Sequence, residues 1–340
     1  MRPQVSRRKL AFSYSPAHTE NVFTKAHIEQ LRTLCDVVEQ APLQHFDDAH
    51  AARVLAETEI LVTGWGSPRI DRRVLELAPR LRLVAHSAGT VKSFIAPEVF
   101  SAGIVVCNAA SANAVPVAEF TLAAILFSNK QVLRYRDLYR KTRESVMRER
   151  LSNPNVGNWR KTVGIVGLSR IGRRVVELLA PHDLKIIVYD PYVSESEARR
   201  LDIELVELDD LMQRADVVSL HAPALEATRH MIDGRRLAMM RDDATLINTA
   251  RGMLVEQAAL ERELISGRIN GVIDVTVPEN LPADSPLYDL PNLLLTPHIA
   301  GALGLERERL GALVVAEIER FVRGLPLLHA IAADTLHLQA

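Results

Sequence analysis

The chain has 340 residues, which is too long for one ordinary hydrophobic core and is typical of two domains. Hydrophobic residues make up 48% of the chain, aromatic residues make up 5%, and the formal net charge is −1. This composition is typical of a globular enzyme. It gives no electrostatic reason to expect nucleic acid or an anionic membrane surface as a partner. We interpret the short basic run at residues 7–9 as a solvated tail.

The cysteine content and the lack of targeting signals indicate a reducing compartment. The chain has 2 cysteines, Cys35 and Cys107, which form no C-x-x-C pair, so we expect neither a disulfide framework nor a structural metal site. The basic residues near the start are not followed by an apolar segment, and we expect no apolar run of membrane-spanning length. The sequence therefore predicts a cytoplasmic protein.

The first third of the chain alternates short apolar runs with amphipathic stretches. This alternation predicts a parallel sheet with crossover helices. The predicted strands are residues 10–13, 60–63, 83–86 and 104–107, and the clearest helices between them are residues 26–34 and 71–77. Residues 117–126 are apolar on nearly all faces, which predicts a helix buried between domains or between subunits. The charged segment 134–150 is predicted to be surface-exposed, and residues 153–157 are predicted to form a loop.

A second α/β series begins at Thr162. Its predicted strands are residues 163–166, 185–189, 217–220, 245–248, 272–275 and 293–296. Apolar residues at helical spacing predict a last helix over residues 306–323, and Gly324 and Pro326 mark its end.

A glycine-rich turn joins the first strand of this second series to the helix that follows it. Gly167, Ser169 and Gly172 occupy the three glycine positions of the G-x-G-x-x-G pattern. The first position allows a tight turn and the third allows close packing of helix on strand, while the backbone N–H groups at the helix start favour a pyrophosphate. Ser169 departs from the pattern, so the turn alone could equally be an ordinary connection that binds nothing.

The context of the turn favours a dinucleotide. Asp190 ends the next predicted strand, where a carboxylate can accept hydrogen bonds from the ribose hydroxyls and repel a 2′-phosphate. Asp190 could instead be a turn residue ahead of Pro191. The order strand, turn, helix and strand, followed by the acidic residue Asp190, favours NAD over NADP.

Three polar residues lie where the later strands end, and they suit redox chemistry on a hydroxy acid. Arg251 could bind a carboxylate through two parallel hydrogen bonds, His298 could carry a proton near neutral pH, and Glu279 could orient that histidine. Ligands bind beyond the carboxyl ends of parallel strands. Each residue also has a structural interpretation, and His221, which ends another strand, is a rival for the role of base.

The order of these motifs resembles the D-isomer-specific 2-hydroxyacid dehydrogenase family over most of the chain. The similar segments are residues 108–119, 164–191, 220–223 with Thr228, 248–252, 274–275, 278–279 and 296–301. The resemblance implies an NAD-dependent oxidoreductase acting on a small D-2-hydroxy acid or 2-keto acid. In that enzyme Arg251 would bind the substrate, and His298 paired with Glu279 would be the acid/base.

The resemblance also implies the fold and the binding residues. The fold would consist of two doubly wound α/β domains. A Rossmann NAD-binding domain, residues 111–298, would be inserted into a flavodoxin-like substrate domain, residues 1–110 and 299–340. Family members are commonly dimers built on the cofactor domain, so we expect a homodimer. The substrate loop would contribute Ala88 and Gly89. The residues implied for NAD are Gly167, Ser169, Arg170, Ile171, Gly172, Asp190, His221, Pro223, Thr228, Thr249, Ala250 and Asp274.

Departures from the family pattern leave the substrate open. Val91 and Lys92 stand in the substrate loop where an acidic and a polar residue are common. One alternative is an NAD-sensing corepressor, because such relatives keep the same three residues. Another is a 3-phosphoglycerate dehydrogenase, which would need further basic residues near the substrate loop, where Lys92 is the only candidate.

Overall fold

The computed structural model describes residues 7–338 and divides into two compact units. The first consists of Met1–Asn113 with Ala302–Ala340, and the second of Ala114–Gly301. The predicted domain boundaries follow residues 110 and 298, and the boundaries between the units follow Asn113 and Gly301.

The first unit contains a sheet of five parallel strands. The strands are β1 (Arg8–Ser13), β2 (Cys35–Val37), β3 (Ile60–Thr63), β4 (Leu83–His86) and β5 (Val105–Asn108). Its α-helices are Lys25–Leu34, Ala49–Glu57, Arg72–Leu77, Pro97–Ser101 and Glu308–Val322. The order β2-β1-β3-β4-β5 is the flavodoxin-like order. Apolar clusters cover both faces of the sheet, and Leu310, Val314 and Ile318 of the last helix are fully buried in one of them.

The second unit contains a sheet of seven parallel strands. The strands are β6 (Thr162–Val166), β7 (Lys185–Tyr189), β8 (Glu204–Leu205), β9 (Val217–Leu220), β10 (Thr245–Asn248), β11 (Asn270–Ile273) and β12 (Leu293–Leu295). Its α-helices are Ala110–Asn129, which begins in the first unit, Val132–Thr142, Met147–Ser152, Arg170–Leu179, Glu195–Arg200, Leu208–Arg214, Gly234–Met239 and Gln257–Ser266. The order β12-β11-β10-β9-β6-β7-β8 is the Rossmann order with one added edge strand. The predicted fold class is therefore confirmed.

Short edge strands account for the main differences in element assignment. β2 and β8, which have three and two residues, were not predicted from the sequence. β11 ends at Ile273, so Asp274 lies beyond the strand rather than inside it as predicted. Runs this short carry too few side chains to show a period.

The basic run at residues 7–9 is not simply a solvated tail. Arg8 and Lys9 are the first residues of β1, where they pair with Cys35 and Asp36 of β2. Their side chains form ion pairs with Glu59 and Glu57 respectively. The tail interpretation is therefore wrong for these two residues, because parallel pairing extends the strand beyond its apolar core.

The helix Ala110–Asn129 is longer than the predicted apolar segment. It is long and apolar enough, by length and composition, to cross a membrane, so the expectation that no apolar run reaches that length is wrong. Ala118, Ala124 and Ile125 are buried against strands of the second unit. Phe127 is 61% exposed. The helix is thus a core element of the second unit that keeps an apolar residue on its outer side.

Candidate active site

The turn after β6 has a shape that only glycine allows at two of its positions. Gly167 has a φ of +92°, and a Cβ atom there would lie 2.6 Å from the backbone nitrogen of Ala222. A Cβ atom on Gly172 would lie 2.2 Å from the carbonyl oxygen of Gly167. The turn is therefore a close-packed cradle of backbone, as a bound pyrophosphate requires.

The serine at the middle position is compatible with this cradle. Ser169 has a φ of −66°, which any L-residue adopts, and it occupies the N-cap position of the helix that begins at Arg170. Its hydroxyl accepts no hydrogen bond from the helix backbone. The first N–H groups of a helix, here those of Arg170, Ile171 and Gly172, have no intrahelical acceptor. The helix start can therefore bind an anion, with the Ser169 hydroxyl as a further donor.

Asp190 follows β7 and is bonded to the turn itself. One carboxylate oxygen accepts the N–H of Leu168 at 2.7 Å and the other accepts the N–H of Tyr192 at 2.9 Å. Asp190 thus holds the glycine-rich turn and also the turn at Pro191, which was predicted as the alternative to a ribose-binding role. A carboxylate has about four lone-pair sites, so acceptor capacity for ribose hydroxyls remains.

His221 directly follows β9, the neighbour of β6 at the point where the strand order reverses. Its imidazole is 3% exposed; Nε2 lies 2.9 Å from the Ser219 hydroxyl, and Nδ1 is buried without a hydrogen bond. Burial lowers the pKa of His221 to about 3, so the ring is neutral near pH 7. In the loop that follows, the Thr228 hydroxyl donates to the carbonyl of Pro223 at 2.6 Å.

Arg251 lies in the turn after β10, and Asn248 shapes that turn. The Asn248 side chain donates to the Arg251 carbonyl at 2.9 Å and accepts the N–H of Ala250 at 3.1 Å. The guanidinium of Arg251 donates to the Ala250 carbonyl at 2.6 Å. Burial lowers the pKa of Arg251, an effect that the negative charge of Glu279 opposes. Arginine nevertheless remains a cation in proteins.

The Arg251 turn packs directly on the loop that carries Glu279. A Cβ atom on Gly252 would lie 2.4 Å from the carbonyl oxygen of Thr276, so only glycine fits there. The Thr276 hydroxyl in turn donates to the carbonyls of Pro278 at 2.7 Å and Glu279 at 3.1 Å. Two residues before Arg251 in the chain, the Thr249 hydroxyl lies 3.1 Å from the hydroxyl of Thr121. Close backbone packing therefore brings the ends of β10 and β11 together.

The imidazole of His298 and the carboxylate of Glu279 form a hydrogen-bonded pair. Nδ1 of His298 lies 2.5 Å from Oε1 of Glu279. The two side chains are 48% and 57% exposed, so a small molecule can reach the imidazole. His298 differs from His221 in burial, because the ring of His298 is accessible to a reactant and the ring of His221 is not.

Asp274 fixes the backbone around His298. Its buried carboxylate accepts the Thr296 hydroxyl at 2.6 Å and the N–H groups of Ile299 at 2.8 Å and Ala300 at 2.9 Å. The backbone N–H of His298 donates to the Asp274 carbonyl at 2.9 Å. His298 has a φ of +55°, a left-handed conformation that costs a non-glycine residue about 1–3 kcal/mol. These contacts over-determine that conformation.

Three residues that shape the site were not singled out from the sequence. Asn248, Thr276 and Thr296 hold the turns of Arg251, Glu279 and His298 through side-chain hydrogen bonds. Each lies at or just beyond the carboxyl end of a strand, which is the one signal that could have indicated them. Asn248 and Thr276 bond to backbone carbonyls and Thr296 bonds to the Asp274 carboxylate, and the sequence reveals none of these pairings.

The predicted substrate loop lies in the first unit, after β4. Ala88 is buried, and its carbonyl accepts the N–H of Ala109 at 3.0 Å. The carbonyl of Gly89 accepts a hydrogen bond from the Asn108 side chain at 2.7 Å, and a Cβ atom on Gly89 would meet nothing within 4 Å. Hydrogen bonds from Asn108 and Ala109 thus hold the backbone of the loop, and the space beside Gly89 is open.

Comparison with known proteins identifies the family. A family model described as the NAD binding domain of D-isomer specific 2-hydroxyacid dehydrogenases matches residues 122–300. D-3-phosphoglycerate dehydrogenase of Mycobacterium tuberculosis is 33% identical over 260 residues, covering 75% of this chain and 48% of that protein. Glyoxylate reductase of Korarchaeum cryptofilum is 34% identical over 256 residues, covering 75% of this chain and 77% of that protein.

A solved structure shows the same fold. A phosphoglycerate oxidoreductase from Rhizobium etli superimposes with a TM-score of 0.79 at 23% identity, covering 96% of this chain and 98% of that chain. The chain spans about half the length of the phosphoglycerate dehydrogenases that it matches. The family assignment rests on the sequence match to the family model, which covers more than half of the chain. The chain belongs to the D-isomer specific 2-hydroxyacid dehydrogenase family, and its second unit contains the family's NAD-binding domain.

Proposed function

We propose that this protein is an NAD-dependent oxidoreductase that interconverts a small D-2-hydroxy acid and its 2-keto acid. The observation that carries the proposal is the accessible His298–Glu279 pair, placed beside Arg251 within an NAD-binding domain. A cation for a carboxylate and a histidine for a proton are the two protein groups that this reaction needs.

The side chains divide the chemistry as follows. A nicotinamide held in the NAD-binding domain would supply or accept the hydride. Arg251 binds the substrate carboxylate through two parallel N–H donors and polarises the keto oxygen. To do so it exchanges its hydrogen bond to the Ala250 carbonyl for the substrate. Protonated His298 donates a proton to that oxygen during reduction, and the neutral ring accepts it during oxidation. Glu279 orients the ring through Nδ1, which leaves Nε2 for the proton transfer.

The cofactor is proposed to lie along the reversal of strand order between β6 and β9. The fit rests on the glycine cradle, the helix start at Ser169, and the buried unpaired Nδ1 of His221. The turn from Ser169 to Gly172 would hold the pyrophosphate, Asp190 the ribose, and the Pro223–Thr228 and Thr249–Ala250 segments the nicotinamide half. Asp274 is already engaged by three donors, so we assign it chiefly to positioning His298 and the loop around it.

The first unit is proposed to be the substrate domain, with Ala88 and Gly89 in the loop that meets the substrate. Oxidation of NADH, followed at the nicotinamide absorbance band with a panel of 2-keto acids, tests the function as a whole. Turnover of at least one acid is expected. NADH binding without turnover of any acid would favour the corepressor-like role instead.

NAD is expected to be preferred over NADP because of Asp190. The ratio of kcat/KM for NADH to kcat/KM for NADPH should exceed about 10, since the partly buried carboxylate of Asp190 repels a 2′-phosphate. Asp190→Ala should reduce this ratio by weakening use of NADH and relieving the repulsion. A wild-type preference for NADPH would contradict the assignment. Melting curves are needed alongside, because Asp190 also holds the N–H of Leu168.

A homodimer is proposed, with the outer side of the helix Ala110–Asn129 in the interface. An apolar cleft of the second unit is lined there by Phe120, Phe127, Val132 and Leu294, among others. Phe127→Glu should convert a dimer into monomers, because an unpaired charge is costly in an apolar interface. Ile265→Glu, at a residue that is 55% exposed on another helix, is the control. Light scattering measures the mass, and a Phe127→Glu protein that stays dimeric would exclude this interface.

A cytoplasmic location is proposed because both cysteines are free thiols, as is usual in a reducing compartment. Cys35 and Cys107 are both buried free thiols. Burial raises the pKa of Cys35 to about 11, so it remains protonated and unreactive.

A further inference from the structure

A buried carboxylate lies on the last helix of the first unit. The helix Glu308–Val322 packs an apolar face, which includes Val314 and Ile318, into the core of that unit. Glu317 precedes Ile318 on this helix and is only 1% exposed. Burial of a carboxylate is costly unless hydrogen bonds compensate for the lost water. Glu317 therefore needs donors inside the protein, and nothing in the proposed reaction gives it a role so far.

The donors to Glu317 are backbone groups of residues 328–331, which we call the edge segment. One carboxylate oxygen accepts the N–H of Leu328 at 3.2 Å, and the other accepts the N–H of His329 at 2.9 Å. Hydrogen bonds to a charged acceptor are stronger than those between neutral groups. The side chain of Leu328 is exposed and that of Ile331 is buried. The Glu317 carboxylate and the Ile331 side chain therefore anchor the edge segment.

The edge segment pairs with β5, the outermost strand of the five-stranded sheet. The N–H of Ile331 donates to the Val106 carbonyl at 2.8 Å, and the N–H of Asn108 donates to the His329 carbonyl at 3.4 Å. The pairing is antiparallel. It covers an edge at which backbone N–H and C=O groups would otherwise lack a strand partner.

Asn108 connects this pairing to the substrate loop. It is the last residue of β5, and its side-chain nitrogen donates to the Gly89 carbonyl at 2.7 Å. The ring of His329 makes a second contact beyond the strand, because its Nδ1 lies 3.2 Å from the Ser111 hydroxyl. A series of hydrogen bonds thus leads from Glu317 through His329 and Asn108 to Gly89. All of these residues belong to the first unit.

We propose that Glu317 is a positioning residue for the substrate loop. Its carboxylate docks the edge segment on β5 and so fixes Asn108, which in turn holds the loop backbone at Gly89. Loss of the carboxylate releases the edge segment and lets the loop move, so the keto acid binds more weakly. The groups proposed for NADH and for proton transfer lie in the second unit and are unaffected. This inference rests on the proposed oxidoreductase function and adds a positioning residue to it.

Glu317→Leu removes both acceptors and nearly keeps the side-chain volume. The assay uses NADH and the best-reduced acid of a panel that includes glyoxylate, pyruvate, 2-oxobutyrate and 2-oxoglutarate. KM for that acid should rise roughly 10-fold, while kcat and the Kd for NADH stay within about twofold, because a contact made equally in ground state and transition state affects KM alone. Glu317→Gln keeps one acceptor oxygen, so KM should rise less, by about threefold or more.

Hydrogen exchange reports directly on the edge segment. The backbone N–H groups of Leu328, His329 and Ile331 are hydrogen-bonded and should be protected in the wild-type protein. In Glu317→Leu they should exchange faster. Mass spectrometry of peptides that contain these residues measures the change.

A double-mutant cycle separates positioning from general support of the fold. Asn108→Ala breaks the bond to the Gly89 carbonyl directly and should raise KM to a similar extent. If Glu317 acts through Asn108, the double variant should show the KM of a single variant rather than the product of the two rises.

Leu55→Ala is the matched control for lost stability. Leu55 is fully buried in the first unit, on a helix that packs on β1, and β3 and β4 lie between β1 and β5. The substitution should lower the melting temperature and leave KM within about twofold, because it destabilises the same unit without touching the edge segment.

The outcomes separate the role of Glu317 from the oxidoreductase function. A KM within about twofold of wild type in Glu317→Leu overturns the positioning role and leaves the oxidoreductase function standing. KM rises that multiply in the double variant, or an equal rise in Leu55→Ala, overturn it as well. If Glu317→Leu does not fold, Glu317→Gln takes its place in the cycle. Failure of the wild-type protein to reduce any acid of the panel overturns the oxidoreductase function, and the inference with it.

Discussion

Replacement of His298 by alanine is expected to lower kcat by roughly 10²–10⁴-fold, the usual contribution of a general acid or base. NADH should still bind, because the glycine-rich turn lies elsewhere in the NAD-binding domain. Stopped-flow or steady-state turnover gives kcat, and quenching of intrinsic fluorescence gives the Kd for NADH. A loss of turnover with retained NADH affinity would assign the defect to the chemical step.

Two further variants make this prediction specific. Glu279→Gln keeps a hydrogen-bonding oxygen at Nδ1 of His298 but removes the charge, so a smaller loss in kcat than in His298→Ala is expected. His221→Ala should affect NADH affinity or stability more than kcat, because the ring is buried and neutral. If His221→Ala were the more damaging change to kcat, the two histidines would have to exchange roles.

Replacement of Arg251 by lysine is expected to lower kcat/KM by about 10²-fold or more, or ~3 kcal/mol. Lysine keeps the charge but loses the planar two-point contact with a carboxylate. The loss should appear for every keto acid in the panel.

A matched control is available in the same unit. Arg236 is also partly buried, with hydrogen bonds to Asp209 and to the carbonyl of Met231, neither of which we assign to the site. Arg236→Lys tests whether a buried arginine-to-lysine change is damaging in itself. Equal kinetic losses in the two variants would remove Arg251 from substrate binding.

The fold class could be predicted from the sequence because its signals are local. Apolar runs alternating with amphipathic stretches predict parallel sheets, and the parallel geometry places Arg251, Glu279 and His298 beyond strand ends. Gly167 and Gly172 were identified by spacing alone, and the turn requires glycine at both. Edge strands of two or three residues, and the pairing that draws Arg8 and Lys9 into β1, had no local period to reveal them.

The choice between the two histidines required the tertiary structure. In the sequence His221 and His298 both follow a strand, and both could be a base. Packing of the turn after β6 against Ala222 buries His221 and lowers its pKa, whereas the Asp274 carboxylate holds the chain around an accessible His298. The sequence by itself determined the alternation of strands and helices, the glycine-rich turn and the residue types of the site, through short-range periodicity and spacing. Burial and hydrogen-bond partners were decided only by the tertiary structure, because they depend on contacts between segments far apart in the chain.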